Sequence, residues 1–317
     1  ISLGLVGSEM CIRDRDMSMS DYEPKVVSLG NFDGIHRGHQ KLMKKNIEIA
    51  RSKNLIPSVL LFKENSKKTL NNEKEYLTSI EDKIEILSEL GIDTFCILDF
   101  SEEFRSLTPR EFISKILYDK LNTKYVIIGE DYRFGKDAAG NKETLKKYED
   151  EFSYKAEVLE FELDHGEKIS SRTIRELIRN GEIVEANDYL GRAYKVRGEV
   201  IGGHKRGRTL NFPTANLHMN FSYTVPADGV YLTRVHVLDE YHYALSNIGS
   251  NPTFENDDRH IETYILDFDK DIYGKNLSIE FLEFFREDIK FNSKEELIDQ
   301  MEKDKKRAYE SLKNKYL

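Results

Sequence analysis

The sequence predicts an α/β chain in two parts: a doubly wound, Rossmann-like parallel sheet, then an antiparallel β-barrel with a C-terminal helix. Three observations predict it. From Lys25 onward, short β-rich apolar runs alternate with helical patterns, as in parallel sheets with helices on both faces. After Gly191 the helices drop out, and short alternating strands follow one another across glycine turns, as in a barrel. The chain of 317 residues is also long enough for two ordinary domains with their own cores.

The elements follow in order. Strands are predicted at residues 26–32, 57–62, 94–100, 125–129 and 156–161, with helices at 40–53, 79–90, 109–121 and 142–152. Pro109 suits a first helical turn behind Thr108 as N-cap. Helices at 171–179 and 183–190 come next, with Gly181 as a stop signal. Barrel strands are predicted at 194–201, 229–238, 244–248, 261–268 and 277–285, and one charged amphipathic helix at 293–316. The domain boundary is expected near 185–191, giving domains 17–187 and 188–317. Residues 1–16 are expected to be a non-native or disordered leader. Residues 1–15 start apolar without the basic region of a signal peptide and resemble translated adapter sequence, so Met17 or Met19 would be a natural start.

Composition narrows the function. Lys+Arg 48 against Asp+Glu 57 leaves a net charge of -9, which disfavours non-specific nucleic-acid binding and leaves room for a local site for a small anion. No stretch approaches the roughly 18 apolar residues of a membrane span, so a cytoplasmic location without membrane or nucleic-acid partners is expected. Cys11 and Cys96 alone exclude a disulfide framework or a multi-cysteine zinc site.

Gly30-Asn31-Phe32-Asp33-Gly34-Ile35-His36-Arg37-Gly38-His39 is the most informative stretch. A strand ends in glycines and two histidines, then opens a helix. Glycines admit a phosphate close to the backbone, and a helix N-terminus supplies free N–H groups and positive potential. His36 and His39, three apart, can face one ligand. In the second half, Gly202-Gly203-His204-Lys205-Arg206-Gly207-Arg208 is a basic glycine-rich turn suited to polyphosphate. It leads to Pro213-Thr214-Ala215-Asn216, where Thr214 and Asn216 can address one hard cation from an extended segment.

The first of these stretches resembles the HxGH nucleotidyltransferase superfamily, and in its longer form the adenylyltransferase module of bacterial bifunctional riboflavin kinase/FAD synthetases. Gly129-Glu130-Asp131-Tyr132-Arg133-Phe134-Gly135 and Ile169-Ser170-Ser171-Arg172-Thr173-Ile174-Arg175 resemble two further motifs of that module. Residues 207–217 resemble the flavokinase signature, and 246–254, 261–268 and 285–288 other parts of the same kinase. The resemblance covers about residues 25–312. It implies ATP-dependent conversion of riboflavin to FMN in the second domain and of FMN to FAD in the first, with Mg2+ and without a covalent intermediate.

The resemblance implies catalytic roles for His36, His39 and Arg175, with Glu262 as the kinase's general base. It implies nucleotide binding by Gly30, Phe32, Asp33, Gly38, Ser170, Ser171, Gly202, Gly207 and Arg208. Asp131 and Phe134 would meet flavin, and Thr214 and Asn216 magnesium. Alternation puts Glu262 on one face with Tyr264, Leu266 and Phe268, a carboxylate among apolar neighbours. Two departures stand out: Arg172 replaces a hydroxyl residue, and Lys63-Glu64-Asn65-Ser66 lacks the family's histidine and prolines. They leave open a flavokinase with a drifted first domain. A flavin-binding module without turnover is the reading from a different class.

Overall fold

The computed structural model describes residues 4–5, 10–14, 23–63, 75–160, 163–164, 167–202, 212–250 and 259–315. Contacts divide the chain into two units, residues 1–74 with 78–171, and 75–77 with 172–317.

The first unit is built on five parallel strands: β3 (Lys25–Leu29), β4 (Ile56–Phe62), β5 (Thr94–Leu98), β6 (Thr123–Gly129) and β7 (Lys155–Leu159). They lie in the order β5-β4-β3-β6-β7. Ahead of them run β1 (Gly4–Leu5) and β2 (Met10–Asp14); β2 pairs antiparallel with β5 at the sheet edge. So the backbone of residues 10–14, set apart as a leader in the sequence, takes up the open edge of β5. A two-strand ribbon, β8 (Leu163–Asp164) and β9 (Glu167–Lys168), follows β7.

The strands are apolar on both faces because both are covered. Val26, Val59, Leu61, Phe95, Ile97 and Ile127 pack with α1 (Arg37–Lys53) and α2 (Ile80–Glu89). Their neighbours in sequence, Val27, Leu60, Cys96, Leu98, Val126 and Ile128, pack with Phe112–Lys120 and with Leu145 and Phe152. Successive strand residues point to opposite faces, so these two cores are the doubly wound sheet predicted from the alternation. Phe112–Lys120 is wound as a π-helix behind the Thr108 cap and Pro109.

One buried polar residue fixes α1 on the sheet. Asn46 Nδ2 donates to Val26 O, Ser28 Oγ and Ser58 O at 3.2, 2.8 and 2.9 Å. It thereby ties the helix that carries His39 to β3 and β4. Asn46→Leu leaves those acceptors without their donor, so unfolding in urea should show a loss of about 1–3 kcal/mol. A change within about 0.5 kcal/mol, typical of a surface position, would mean the clamp does not contribute.

The second unit opens with α3 (Ser171–Arg179), whose first residue closes the first unit, and α4 (Ile183–Leu190). Six antiparallel strands follow: β10 (Tyr194–Ile201), β11 (Ala215–His218), β12 (Gly229–Val237), β13 (Glu240–Ser250), β14 (Arg259–Ile265) and β15 (Asn276–Arg286). They close a barrel in the order β10-β11-β14-β13-β12-β15. Both α3 and α4 run over the residues predicted for them. With the contacts dividing at 171/172, α4 lies in the unit of the barrel and is bonded to it. Asn187 Nδ2 donates to Phe281 O at 2.8 Å, and its Oδ1 accepts from Tyr194 N at 2.7 Å.

Val196, Val235, Ile248, Ile261, Ile279 and Phe281 are fully buried. Among them run three buried hydroxyls: Thr233 to Ser246, and Ser246 to Thr263, both at 2.9 Å. Helix α5 (Lys294–Lys315) lays Ala308 and Leu312 on Val230, Leu232, Leu245 and Phe285. Arg286 grips Asp304 of α5 through Nε and Nη2, the shortest contact 2.7 Å. That assigns a structural duty to the arginine of the 285–288 motif.

Candidate active sites

In the first unit the Gly30–His39 and Gly129–Gly135 loops leave the carboxyl ends of β3 and β6, where such folds bind ligands. The turn after β3 is tightly wound, with left-handed backbone at Phe32, Gly34 and Ile35. Gly30 is required there: a Cβ on it would stand 2.9 Å from the ring of Phe32, which is wholly buried beneath the loop. His36 caps α1 without a side-chain capping bond, and the first turn of α1 holds no acidic residue. The His36 and His39 rings stack at 3.8 Å with 21° between planes, and Phe32 meets His39 edge-on at 5.2 Å. The two imidazoles are thus held together at the positive end of a long helix, with Gly38 between them.

Asp33 works from behind. Its buried carboxylate accepts from Thr78 N at 3.2 Å, Thr78 Oγ1 accepts from Gly34 N at 2.9 Å, and Ser171 Oγ donates to Asp33 O at 2.9 Å. Lys83 Nζ reaches Asn31 O at 2.9 Å. Phe32 and Asp33, expected as nucleotide contacts, therefore shape the loop from beneath it. Ser171 stands at the start of α3 with Ser170 just before it, as the sequence implies. Arg175 is buried in the second unit. The departure at Arg172 is harmless locally, because that side chain is largely exposed and pairs with Glu176 at 3.0 Å.

Asp131 is exposed after β6 and holds Lys168 at 2.5 Å. Phe134 is 6% exposed, packed on Phe112 at 5.2 Å, and lies in the core, where its ring offers no free face to a ligand. Burial pushes the Tyr132 phenol above its ordinary range, so it stays neutral. An aromatic group that the sequence reading missed stands nearby: Phe62 meets Phe100 at 5.1 Å and Phe104 at 5.3 Å, all half-buried. The signal was available, since Phe62 ends β4 and Phe100 follows β5, at the same end as the histidines. Residues 64–66 lie outside the described residues.

In the barrel, the signature runs into β11, a short strand that alternation alone did not announce. A cavity of about 460 Å3 opens beside it, lined by Val200, Pro213, Thr214, Thr263, Phe268 and Tyr273 among others. Gly202, at the end of β10, borders an adjoining hollow with Tyr273 and Gly274, and a Cβ on it would meet nothing within 4 Å. Gly207, Arg208 and residues 251–254 lie outside the described residues.

Asn216 and Glu262 are direct register partners across β11 and β14, both half-buried, while Ala215 and Thr263 turn inward. The structure thus joins these two predicted residues, and Thr214 stands on the cavity beside them. The expected apolar setting of Glu262 is corrected. Its opposed neighbours are Asn216 and Asn247, because the barrel interior takes Ile261, Thr263 and Ile265 from the same strand. Among the described residues no group of three or more His, Cys, Asp or Glu could hold a metal. The Thr214 hydroxyl and the Asn216 carboxamide carry oxygen donors of the kind Mg2+ accepts alongside substrate phosphates.

A histidine pair at a helix N-terminus on a doubly wound sheet, joined to a barrel with an oxygen-lined site, defines a two-part enzyme of phosphate-transfer type. Residues 18–173 match the family model described as FAD synthetase, and residues 190–312 the one described as riboflavin kinase. The bifunctional riboflavin kinase/FMN adenylyltransferase of Listeria monocytogenes is 41% identical, over 88% of this chain and 90% of that protein. The Bacillus subtilis protein of the same description is 38% identical (91% and 93%), and that of Escherichia coli K12 31% identical (93% and 95%). The chain belongs to the bacterial bifunctional riboflavin kinase/FMN adenylyltransferase family. A crystal structure from Streptococcus pneumoniae, described as a macrolide-efflux protein, matches with TM-score 0.84 at 34% identity, over 92% of this chain and 96% of that one. The efflux description is said of that protein. Here no helix among the described residues is long and apolar enough to cross a membrane.

Proposed function

We propose that the chain makes FMN from riboflavin in its barrel and FAD from FMN in its first domain, using ATP in both steps. What supports this reading is the stacked His36–His39 pair at the head of α1 and the Asn216–Glu262 register pair on the barrel. We assign residues 17–187 and 188–317 to the two activities.

In the kinase step, the cavity beside Thr214 would take the adenine, and the turn from Gly202 through Gly207 and Arg208 the phosphates. Glu262 would accept the proton of the 5′-hydroxyl as that oxygen bonds to the γ-phosphorus. The bond from the γ-phosphorus to the β,γ-bridging oxygen breaks, and ADP leaves. Thr214 and Asn216 would hold Mg2+, which neutralises charge on the phosphates when bound.

In the adenylyl step, an FMN phosphate oxygen attacks the α-phosphorus, the bond to the α,β-bridging oxygen breaks, and pyrophosphate leaves. His36, His39 and the N–H groups of α1 would donate to the α-phosphate as its charge grows. Ser170 and Ser171 would bind the β- and γ-phosphates. Asp131 and the Phe62–Phe100–Phe104 group would border the flavin, with Phe134 supporting the loop from the core. Catalysis rests on alignment and charge stabilisation, without a covalent intermediate.

A chromatographic time course of the purified chain with riboflavin, ATP and magnesium tests the whole reading. FMN appearing first and FAD after it is the expected result. FMN alone would favour the narrower kinase, and bound flavin without ATP consumption would overturn the enzyme reading.

A further inference from the structure

Three side chains stand in one row across β11, β14 and β13. Asn216 is the register partner of Glu262, and Glu262 of Asn247. Opposed residues carry their Cβ atoms about 4.5–5.5 Å apart, so a carboxamide flanks Glu262 on either side. All three are half-buried on the face away from Thr263 and Ser246. Asn247 Oδ1 is itself buried and has no hydrogen-bond partner among the described residues. A buried acceptor in that state costs about 1–3 kcal/mol, and native proteins keep few of them.

Two neighbours frame the spot. Gly249 lies two residues along the same face, with Asn247 Nδ2 and Asp288 Oδ2 each 3.9 Å from where its Cβ would stand. On the inner side, the Thr233–Ser246–Thr263 hydroxyl chain stitches β12, β13 and β14 directly behind the row. The frame is set, and an acceptor oxygen waits in it for a donor. Phosphate oxygens cannot donate and Mg2+ chelation already has Thr214 and Asn216, whereas a polyol offers hydroxyl donors next to its reacting end.

We propose that Asn247 is a positioning residue for the phosphoryl acceptor. Its Oδ1 accepts a hydrogen bond from a secondary hydroxyl of the polyol chain whose primary hydroxyl Glu262 deprotonates. This rests on the reading of Glu262 as general base.

The test is steady-state kinase kinetics of Asn247→Ala and Asn247→Asp in the full chain, with Asn247→Ser as the milder variant and Glu262→Gln as control. Asn247→Ala should raise the KM for riboflavin about tenfold, the value of one hydrogen bond, with the KM for MgATP changed by less than about twofold. Asn247→Asp keeps an acceptor oxygen in place and should recover most of that loss. A merely structural asparagine would not split the two KM values in this way. Riboflavin kinetics within about twofold of the parent in an alanine variant that melts like the parent would overturn the proposal. So would a loss confined to MgATP. If Glu262→Gln keeps full kinase activity, the general-base reading fails first. If it abolishes activity while the Asn247 variants are silent, only the positioning role fails.

Discussion

Replacing His36 or His39 by alanine should cut FAD formation from supplied FMN by about 10²–10³-fold, the usual loss of one preorganised donor to a developing anion. FMN formation from riboflavin should stay within about twofold of the parent. The geometry explains why either ring suffices to show the effect. The stacked rings at 3.8 Å address one small volume at the head of α1, so losing one donor leaves the other alone against the full charge. His39 also carries an edge contact from the buried Phe32, and its loss could loosen the loop. His39→Gln keeps bulk and a donor, so it should fold like the parent and recover part of the activity. The measurement is single-turnover conversion of FMN with ATP and magnesium, alongside a thermal melt. A folded variant losing both activities together would show that the two chemistries are not divided as proposed.

Much of this arrangement was legible in the sequence because its signals are local. The strand-to-helix turn at Gly30–His39 announces itself through residue types that only a phosphate loop needs together, and the helices at 171–179 and 183–190 through their stops. What was hidden depended on register and packing. Phe134 looks like a ligand residue in its motif, yet its ring belongs to the core beside Phe112. Asp33 looks like a ligand residue too, but its carboxylate is spent on Thr78, and no spacing rule pairs residues so far apart in sequence. Strand β11 is four residues long and begins inside a turn-like signature, so alternation had too little to act on. Only that strand's pairing with β14 reveals that Glu262 faces amides instead of apolar side chains.

That correction sharpens the second large effect. Glu262→Gln should lower riboflavin phosphorylation by about 10²–10⁴-fold, the range for removing a general base, while adenylylation of supplied FMN continues. Glutamine keeps the size of the side chain between Asn216 and Asn247, so packing is preserved and only the proton acceptor is lost. Both side chains opposite it are carboxamides, which carry N–H donors. If orientation matters most, kcat falls while the KM for MgATP holds, because Thr214 and Asn216 still meet the nucleotide. If the KM for MgATP rises in step with the loss of kcat, Glu262 acts chiefly on the metal–phosphate complex, and the proton must leave by another route. The two outcomes separate general-base chemistry from electrostatic placement of the nucleotide on the same row of residues.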